Sequence, residues 1–291
     1  MLIDYHNHTK YCNHASGEME EYVKTAIEKG IDQFGFSEHF PWMIQEGNDK
    51  FALSYDQIPL YINSVKELQQ KYKDQIVIKL GAEFDWVPDR FDKVVEFSGK
   101  YDFDYIICSI HHLLDWGFDQ EEQKELFCVS GDEFKYQGVP FPNKGIHIHL
   151  KTMKNTYDIF EFYFNAEIEM LEKASKYFDI IGHIDLIKKF DILPQADIKP
   201  LYRKVAQVVK DYDKVVELNT SGIDKPIGEQ YPSMDFLKIL NELDVPITIG
   251  SDAHAPKQVG RHFERAYKIL RQIGFKQMAT FNQRERIMVD L

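Results

Sequence analysis

The sequence is poor in cysteine and has no long hydrophobic run. Among its 291 residues there are three cysteines, Cys12, Cys108 and Cys128, which form neither a CxxC pair nor a disulfide framework. No apolar stretch approaches the roughly 18 residues that span a bilayer, and the N-terminus lacks the regions of a secretory signal. We therefore expect a cytoplasmic protein with reduced thiols and no membrane partner. Cys12 lies near several histidines, so a ligand role for it stays open beside a structural one.

Positive charge is also scarce. The chain has 35 basic against 47 acidic residues, a formal net charge of −12. A polyanion such as DNA is bound by basic patches, so we expect no nucleic-acid partner. A small phosphorylated substrate is compatible with this charge, because bound divalent cations reverse the local sign. The oligomeric state is not readable from the sequence.

Short β-branched runs alternate with longer helical patterns along the chain, which is typical of repeated β-α units and a parallel sheet. Without a break in composition, seven such units predict one closed α/β barrel of the TIM-barrel type over residues 1–291. The seven predicted strands are Leu2–Tyr5, Gln33–Ser37, Ile76–Glu83, Tyr105–Ile110, Phe178–Gly182, Val215–Leu218 and Val245–Gly250.

Helical spacing follows most of these strands. In the first helix Ser16 is the expected N-cap and Gly30 the expected C-terminal stop. Five further helices are predicted at about 57–73, 155–177, 199–212, 233–243 and 257–273.

A long excursion at about 115–154 separates the fourth and fifth strands by far more than one helix requires. Its first part, DQEEQKELF, has a helical pattern, and the rest is rich in glycine and proline. Two interpretations stay open: a lid over one end of the barrel, or a surface insertion without function.

Histidines and acids gather where the predicted strands end. Eight of the 11 histidines lie at or just beyond a strand end: His6, His8, His14, His39, His111, His112, His183 and His254. Glu83, Asp85, Asp185 and Asp252 lie at strand ends too. Loops after the strands of such a barrel meet on one face, where active sites are built. Histidine with carboxylate is a ligand set for zinc, manganese or iron, so the pattern predicts a metal site on that face.

Spacing supports the metal site. Side chains two apart on an extended strand share a face, so His6 and His8 can bind one ion, and Asp252 and His254 another. His112 must then point away from His111, as a substrate residue or as a partner of a ligand. His147 and His149 form a further HxH inside the excursion, which we interpret as an exposed loop. His262 is expected on a helix surface.

These pieces resemble the polymerase and histidinol phosphatase (PHP) superfamily, and within it the stand-alone histidinol-phosphate phosphatases. The similar motifs are HNHT at the start, SEH at His39, GAEFD at Glu83, SIHH at His111, GHIDLIKKF at His183 and GSDAH at Asp252. The resemblance implies a distorted (β/α)7 barrel that hydrolyses L-histidinol phosphate to L-histidinol and phosphate in histidine biosynthesis.

The resemblance also implies three divalent ions. One would be bound by His6, His8, Glu83 and Asp252, a second by Glu83, His111 and His183, and a third by His14, His39 and His254. A metal-bound hydroxide would attack phosphorus, with Glu83 shared between two ions and either Asp252 or His254 protonating the leaving oxygen. Asp4 and Asp185 are expected to orient ligand imidazoles, and for Asp4 a purely structural role stays equally open.

The residue that contacts phosphate is less clear from the sequence. The phosphatases that the chain resembles usually use an arginine between the fourth and fifth strands, but none lies between His111 and His183. Lys151, Lys154 or Arg261 would take its place, with His112 as a further substrate residue. Two other functions stay open: a PHP-type phosphoesterase for another monoester or a short oligonucleotide, and a non-catalytic metal or metabolite-binding module.

Overall fold

The protein is described by a computed structural model that covers residues 1–41, 51–88, 91–113, 116–121, 129–130, 133–134 and 153–291. Seven parallel strands follow one another around a single sheet, which confirms the predicted order. They are β1 (Ile3–Asp4), β2 (Gln33–His39), β3 (Val77–Asp85), β4 (Tyr105–Ser109), β7 (Ile180–Ile181), β8 (Val215–Asn219) and β9 (Ile247–Gly250). A short antiparallel pair, β5 (Val129–Ser130) and β6 (Glu133–Phe134), lies within the predicted excursion.

The sheet curls until its first and last strands meet. The Tyr5 N–H donates to the Ile249 carbonyl at 3.2 Å, and the Ala253 N–H donates to the His6 carbonyl at 3.3 Å. The His8 N–H in turn donates to the Ala253 carbonyl at 2.9 Å. These bonds nearly close the barrel, as expected, and they bring the first histidines beside the GSDAH loop.

Seven helices surround the described part of the barrel. They are α1 (Met19–Glu28), α2 (Ile58–Tyr72), α3 (Phe91–Ser98), α4 (Thr156–Ala174), α5 (Lys199–Asp211), α6 (Met234–Glu242) and α7 (Phe263–Ile273). All but α3 were predicted. Their apolar faces pack on the strands and form one contiguous core with them.

The start of α1 corrects the sequence analysis. Glu18 is the N-cap rather than Ser16, because the Glu18 N–H donates to the Glu21 carboxylate at 2.7 Å and so closes a local capping interaction. Gly30 follows the helix with φ of 68° and donates its N–H to the Ile27 carbonyl, as a left-handed terminating glycine does.

An unpredicted hairpin lies at the amino-terminal end of the barrel strands. It consists of β10 (Gln277–Asn282) and β11 (Glu285–Asp290). Phe281 packs against Tyr5 and Tyr105, whose rings stack with centroids 4.7 Å apart inside the barrel. Arg284 is ion-paired with Asp179, just before β7. The hairpin therefore covers the end of the barrel opposite the strand ends that carry the histidines.

The structure tests the prediction on membrane spans but only a small part of the predicted excursion. Among the described helices, none has the length and apolarity needed to cross a membrane. Most of the excursion, including His147, His149, Cys128 and Lys151, lies outside the described residues. Its role as a lid and the helix in DQEEQKELF stay predictions.

Candidate metal centre

The loops after six barrel strands bring the predicted ligands together at the carboxyl-terminal end of the barrel. We call this group the ligand cluster. It contains His6, His8 and His14 after β1, His39 at the end of β2, Glu83 in β3, His111 after β4, His183 after β7, and Asp252 and His254 after β9. Register explains part of the assembly, because His39 pairs with Glu83 across β2 and β3.

Glu83 is at the centre of the cluster. Its Oε2 atom lies 3.2 Å from His6 Nε2, 3.4 Å from His8 Nε2 and 3.0 Å from His39 Nδ1. Its Oε1 atom lies 3.2 Å from His183 Nε2 and 3.8 Å from His111 Nε2. The two oxygens thus address two different groups of imidazoles, which is the arrangement expected of a carboxylate that bridges two ions.

Asp252 joins the first of these groups. Its Oδ1 atom lies 3.9 Å from His6 Nε2 and 3.5 Å from His8 Nε2. The backbone of Asp252 is left-handed, with φ of 52°, so the residue lies beyond β9 and does not follow the strand alternation assumed from the sequence. Its Oδ1 also lies 3.5 Å from His254 Nδ1, and the binding of one ion by these two residues stays a prediction.

His14 and His254 face each other with their Nε2 atoms 2.9 Å apart. The Nδ1 atom of His14 lies 2.8 Å from the Cys12 carbonyl, and that of His254 lies 3.1 Å from the Asp252 carbonyl. A carbonyl oxygen only accepts, so each Nδ1 carries the proton and each neutral ring turns a lone pair toward the other. Two facing lone pairs repel each other unless a cation lies between them.

Buried ligand atoms without partners test whether ions fit. His6 Nε2, His8 Nε2 and Glu83 Oε2 are buried and lack a hydrogen-bond partner among the described residues. Leaving such atoms unpaired costs about 1–3 kcal/mol each. The separations in the cluster, 2.9–3.9 Å, also suit donors that each lie about 2 Å from a shared ion. The residues therefore fit divalent metal ions.

The protonation states of four cluster members suit metal binding directly. Burial raises the pKa of Glu83, but the nearby His6 and His39 outweigh this and hold it well below its usual value. The pKa of Asp252 is likewise lowered, because His6 and His8 outweigh its burial. Burial lowers the pKa of His39 and His254 well below the usual value. Anionic carboxylates and neutral imidazoles are the forms that bind a metal.

In three other cluster members burial lowers the pKa but nearby carboxylates raise it more, so that it lies well above its usual value in His6, at about 9 in His8 and at about 10 in His111. Those three rings would release a proton when an ion binds.

Carboxylates behind the cluster orient three of its imidazoles. Glu217 Oε1 lies 2.7 Å from His6 Nδ1, and Glu38 Oε1 lies 3.4 Å from His8 Nδ1. Asp85 is hydrogen-bonded to His111 Nδ1. Each contact leaves Nε2 for an ion and fixes the ring.

The sequence analysis missed Glu217 because it sought ligands and not their partners. The sequence signal that could have identified Glu217 is the presence of an acid within the otherwise apolar strand VVELN. Gly250 makes room for this carboxylate, since a Cβ there would lie 2.1 Å from Glu217 Oε1.

Asp4 and Asp185 do not contact a ligand imidazole through their carboxylates. Asp4 accepts hydrogen bonds from the Ser251 N–H at 2.9 Å, the Ser251 hydroxyl at 2.6 Å and the Gly260 N–H at 2.9 Å. Asp185 accepts from the Ser233 N–H at 2.8 Å and pairs with Lys188 at 3.0 Å. Both therefore hold loops in place, which is the structural alternative for Asp4 and corrects the orienting role predicted for Asp185.

A cavity of about 420 Å³ opens onto the cluster. Of the four predicted substrate residues, His112 and Arg261 lie in its wall and Lys154 does not, while Lys151 lies outside the described residues. Arg261 is already engaged by the backbone carbonyls of Ser251 and Asp252, at 2.8 and 2.9 Å.

Two lysines of the cavity wall escaped the sequence analysis. They are Lys189 and Lys225. The sequence analysis expected the phosphate contact mainly between β4 and β7, the fourth and fifth barrel strands, whereas these two lysines follow β7 and β8.

Comparisons with known proteins agree with this geometry. A family model described as the PHP domain matches residues 4–221. The chain is 32% identical to the probable histidinol-phosphatase of Deinococcus radiodurans, over 98% of both chains. It is 25% identical to the histidinol-phosphatase of Lactococcus lactis, over 96% of this chain and 94% of that one.

Among solved structures, that of the Lactococcus lactis histidinol phosphate phosphatase in complex with zinc, L-histidinol and phosphate is similar to this fold. The TM-score is 0.74, at 22% identity, over 98% of both chains.

Proposed function

The chain belongs to the PHP domain family, among its stand-alone histidinol phosphatases, and we propose that it hydrolyses L-histidinol phosphate to L-histidinol and phosphate. The observation that carries the proposal is the set of buried, unpartnered ligand atoms around Glu83 beneath an open cavity. The full-length similarity to histidinol phosphatases supplies the substrate.

The ligand cluster is proposed to hold three ions. His6, His8, Glu83 and Asp252 would bind one, Glu83 with His111 and His183 a second, and His14, His39 and His254 a third. Zinc, manganese and iron all suit these ligands. Bound there, divalent ions polarise the phosphoryl oxygens and make water a nucleophile near neutral pH.

The chain's own groups prepare this chemistry. Glu83 stays anionic because the surrounding imidazoles lower its pKa, so it can serve two ions at once. Glu217, Glu38 and Asp85 hold three imidazoles in orientation and leave Nε2 of each ring toward the cavity side of the cluster. Proton transfer by Asp252 or His254 to the leaving oxygen stays a prediction.

Burial leaves the two cysteines in the described part of the chain without a role as nucleophiles. Both described cysteines, Cys12 and Cys108, are fully buried free thiols, and burial raises the pKa of each. The Cys12 Sγ donates to the Thr9 carbonyl at 3.1 Å. The reaction we propose is therefore a direct hydrolysis without a covalent phosphoenzyme. A cytoplasmic location and the absence of a nucleic-acid partner stay predictions.

Phosphate release from L-histidinol phosphate by the zinc- or manganese-loaded protein tests the proposal, with p-nitrophenyl phosphate as the generic comparison. We expect hydrolysis that strongly favours histidinol phosphate and that a chelator abolishes. Equal, slow turnover of both esters would retain a metal phosphatase but reject the substrate. Turnover that survives chelation would reject the mechanism.

A further inference from the structure

Three cations lie along one wall of the cavity above the ligand cluster. They are Lys189, Lys225 and Arg261, from the loops after β7, β8 and β9. The side chain of Lys189 is engaged, because its ammonium donates to the Asp119 carbonyl at 2.6 Å and lies 3.1 Å from the Asp119 carboxylate. Arg261 is held by backbone carbonyls and by Asp224, which lies 3.3 Å from Nη1.

Lys225 differs from its two neighbours. No carboxylate of the described residues lies within ion-pair distance of its ammonium. Partial burial lowers its pKa, and the positive charges of Lys189 and Arg261 lower it further. The negative charges of Asp252 and Asp119 act in the opposite direction. A cation kept beside two other cations, at the mouth of a cavity, is stabilised when an anion binds there.

The backbone around Lys225 is fixed by the loops on both sides of it. The Ile227 N–H donates to the Lys189 carbonyl at 3.2 Å, which ties the β8 loop to the β7 loop. Asp224 accepts from Arg261 and from His262, at 3.3 and 2.7 Å, which ties it to the β9 loop. The backbone from which the Lys225 side chain extends is thus held by the loops on both sides.

We propose that Lys225, with Lys189 beside it, binds the phosphate group of the substrate and replaces the arginine that this chain lacks between His111 and His183. Asp119 is a positioning residue, because it acts by holding Lys189. The inference rests on the proposed function for the ester, but the ligand chemistry it needs is only a phosphate dianion. Asp252, a member of the ligand cluster, lines the same cavity as Lys225.

The test uses the metal-loaded full chain and two variants, Lys225→Ala and Lys225→Arg. Lys268→Ala is the matched control, since Lys268 is an exposed lysine of α7 remote from the cavity wall. We expect Lys225→Ala to weaken binding of inorganic phosphate, measured by titration calorimetry, and to lower kcat/KM. Both should fall about 10- to 100-fold, the loss of one charge-assisted contact. Lys225→Arg should recover part of both, with metal content unchanged throughout.

Wild-type phosphate affinity and kcat/KM in Lys225→Ala would overturn the proposal. Equal losses in Lys268→Ala would overturn it too, because the effect would then reflect net charge alone. If the wild-type protein does not hydrolyse histidinol phosphate but still binds inorganic phosphate in a Lys225-dependent way, the proposed substrate fails and this inference stands.

Discussion

Glu83 is the residue on which the ligand cluster depends most, since its two oxygens contact five imidazoles at 3.0–3.8 Å. A glutamine there keeps the shape but replaces a charged oxygen by an amide N–H₂ that cannot bind an ion. We expect Glu83→Gln to lose bound metal and to lower kcat/KM by more than about 100-fold, because even outer partners of metal ligands contribute 10- to 100-fold. Metal analysis and phosphate release measure the two effects. Glu172→Gln, on the exposed face of α4, is the control, and full activity of Glu83→Gln would reject the cluster.

Glu217 acts one step further from the reaction. It accepts from the His6 ring at 2.7 Å, from the His183 N–H at 3.0 Å and from Asn219 at 3.1 Å. We expect Glu217→Gln to weaken metal binding about 10- to 100-fold, since the His6 ring loses a charged partner. Activity at saturating metal should recover most of its wild-type value. Metal titration of the stripped protein measures the affinity, and unchanged affinity would show that Glu217 serves only to pack the barrel.

At the scale of the element, helix α4 buries a carboxyl group against the sheet. Glu167 is fully buried, and burial raises its pKa to about 8, with Tyr163 lowering and Asp185 raising it. The folded chain thus retains a proton up to about pH 8 that the unfolded chain loses near pH 4.5. Between these values the folded state binds more protons, so stability falls as the pH rises.

Glu167→Gln should remove this loss, because an amide carries no titrating proton. We expect the wild-type free energy of unfolding to fall by about 3 kcal/mol more than that of the variant between pH 5 and pH 8. Urea unfolding of both metal-loaded proteins at the two pH values measures the difference. Parallel pH profiles would mean that Glu167 is ionised in the folded protein.

We expect the β10–β11 hairpin to contribute to stability and not to catalysis. Phe281 is 3% exposed and packs on Tyr5 and Tyr105 at the end of the barrel remote from the ligand cluster. Phe281→Ala should lower the free energy of unfolding by about 3–5 kcal/mol through the cavity it leaves. The kcat of the folded variant should stay near the wild-type value. A large fall in kcat at a temperature where the variant is folded would contradict this separation of the two ends.

For the whole molecule, the proposed ions would connect residues at or after the ends of six barrel strands, from His6 to His254. Removing them should therefore destabilise the entire fold. An ion held at 100 times its Kd contributes about 2.7 kcal/mol, which for a chain of this size corresponds to a fall in Tm of roughly 4–5 °C. Thermal unfolding with and without a chelator measures it, and added zinc or manganese should restore the wild-type Tm. In Glu83→Gln the chelator should lower the Tm by less than in the wild type. A wild-type Tm that does not change when the chelator is added would contradict the proposal that the ions connect the strand ends.

The barrel fold and the residues of the ligand cluster could be predicted from local features of the sequence. Alternation of β-branched runs with helical spacing is a local property, and so is the position of His39 or His183 at the end of such a run. Parallel strands of a closed sheet end on one face, so local placement was enough to bring these residues together. The β10–β11 hairpin could not be predicted in this way, because β11 is largely exposed and its sequence shows no alternation of buried apolar residues.

Contacts between side chains that are distant in sequence could not be predicted and follow from the folded structure. Glu217 reaches His6 across 211 positions of sequence because β8 and β1 lie on either side of β9, and Gly250 leaves room between them. The cation wall arises in the same way, from loops that are distant in sequence and adjacent around the barrel. Strand order and register set these contacts, and neither is encoded in the spacing of residues within one segment.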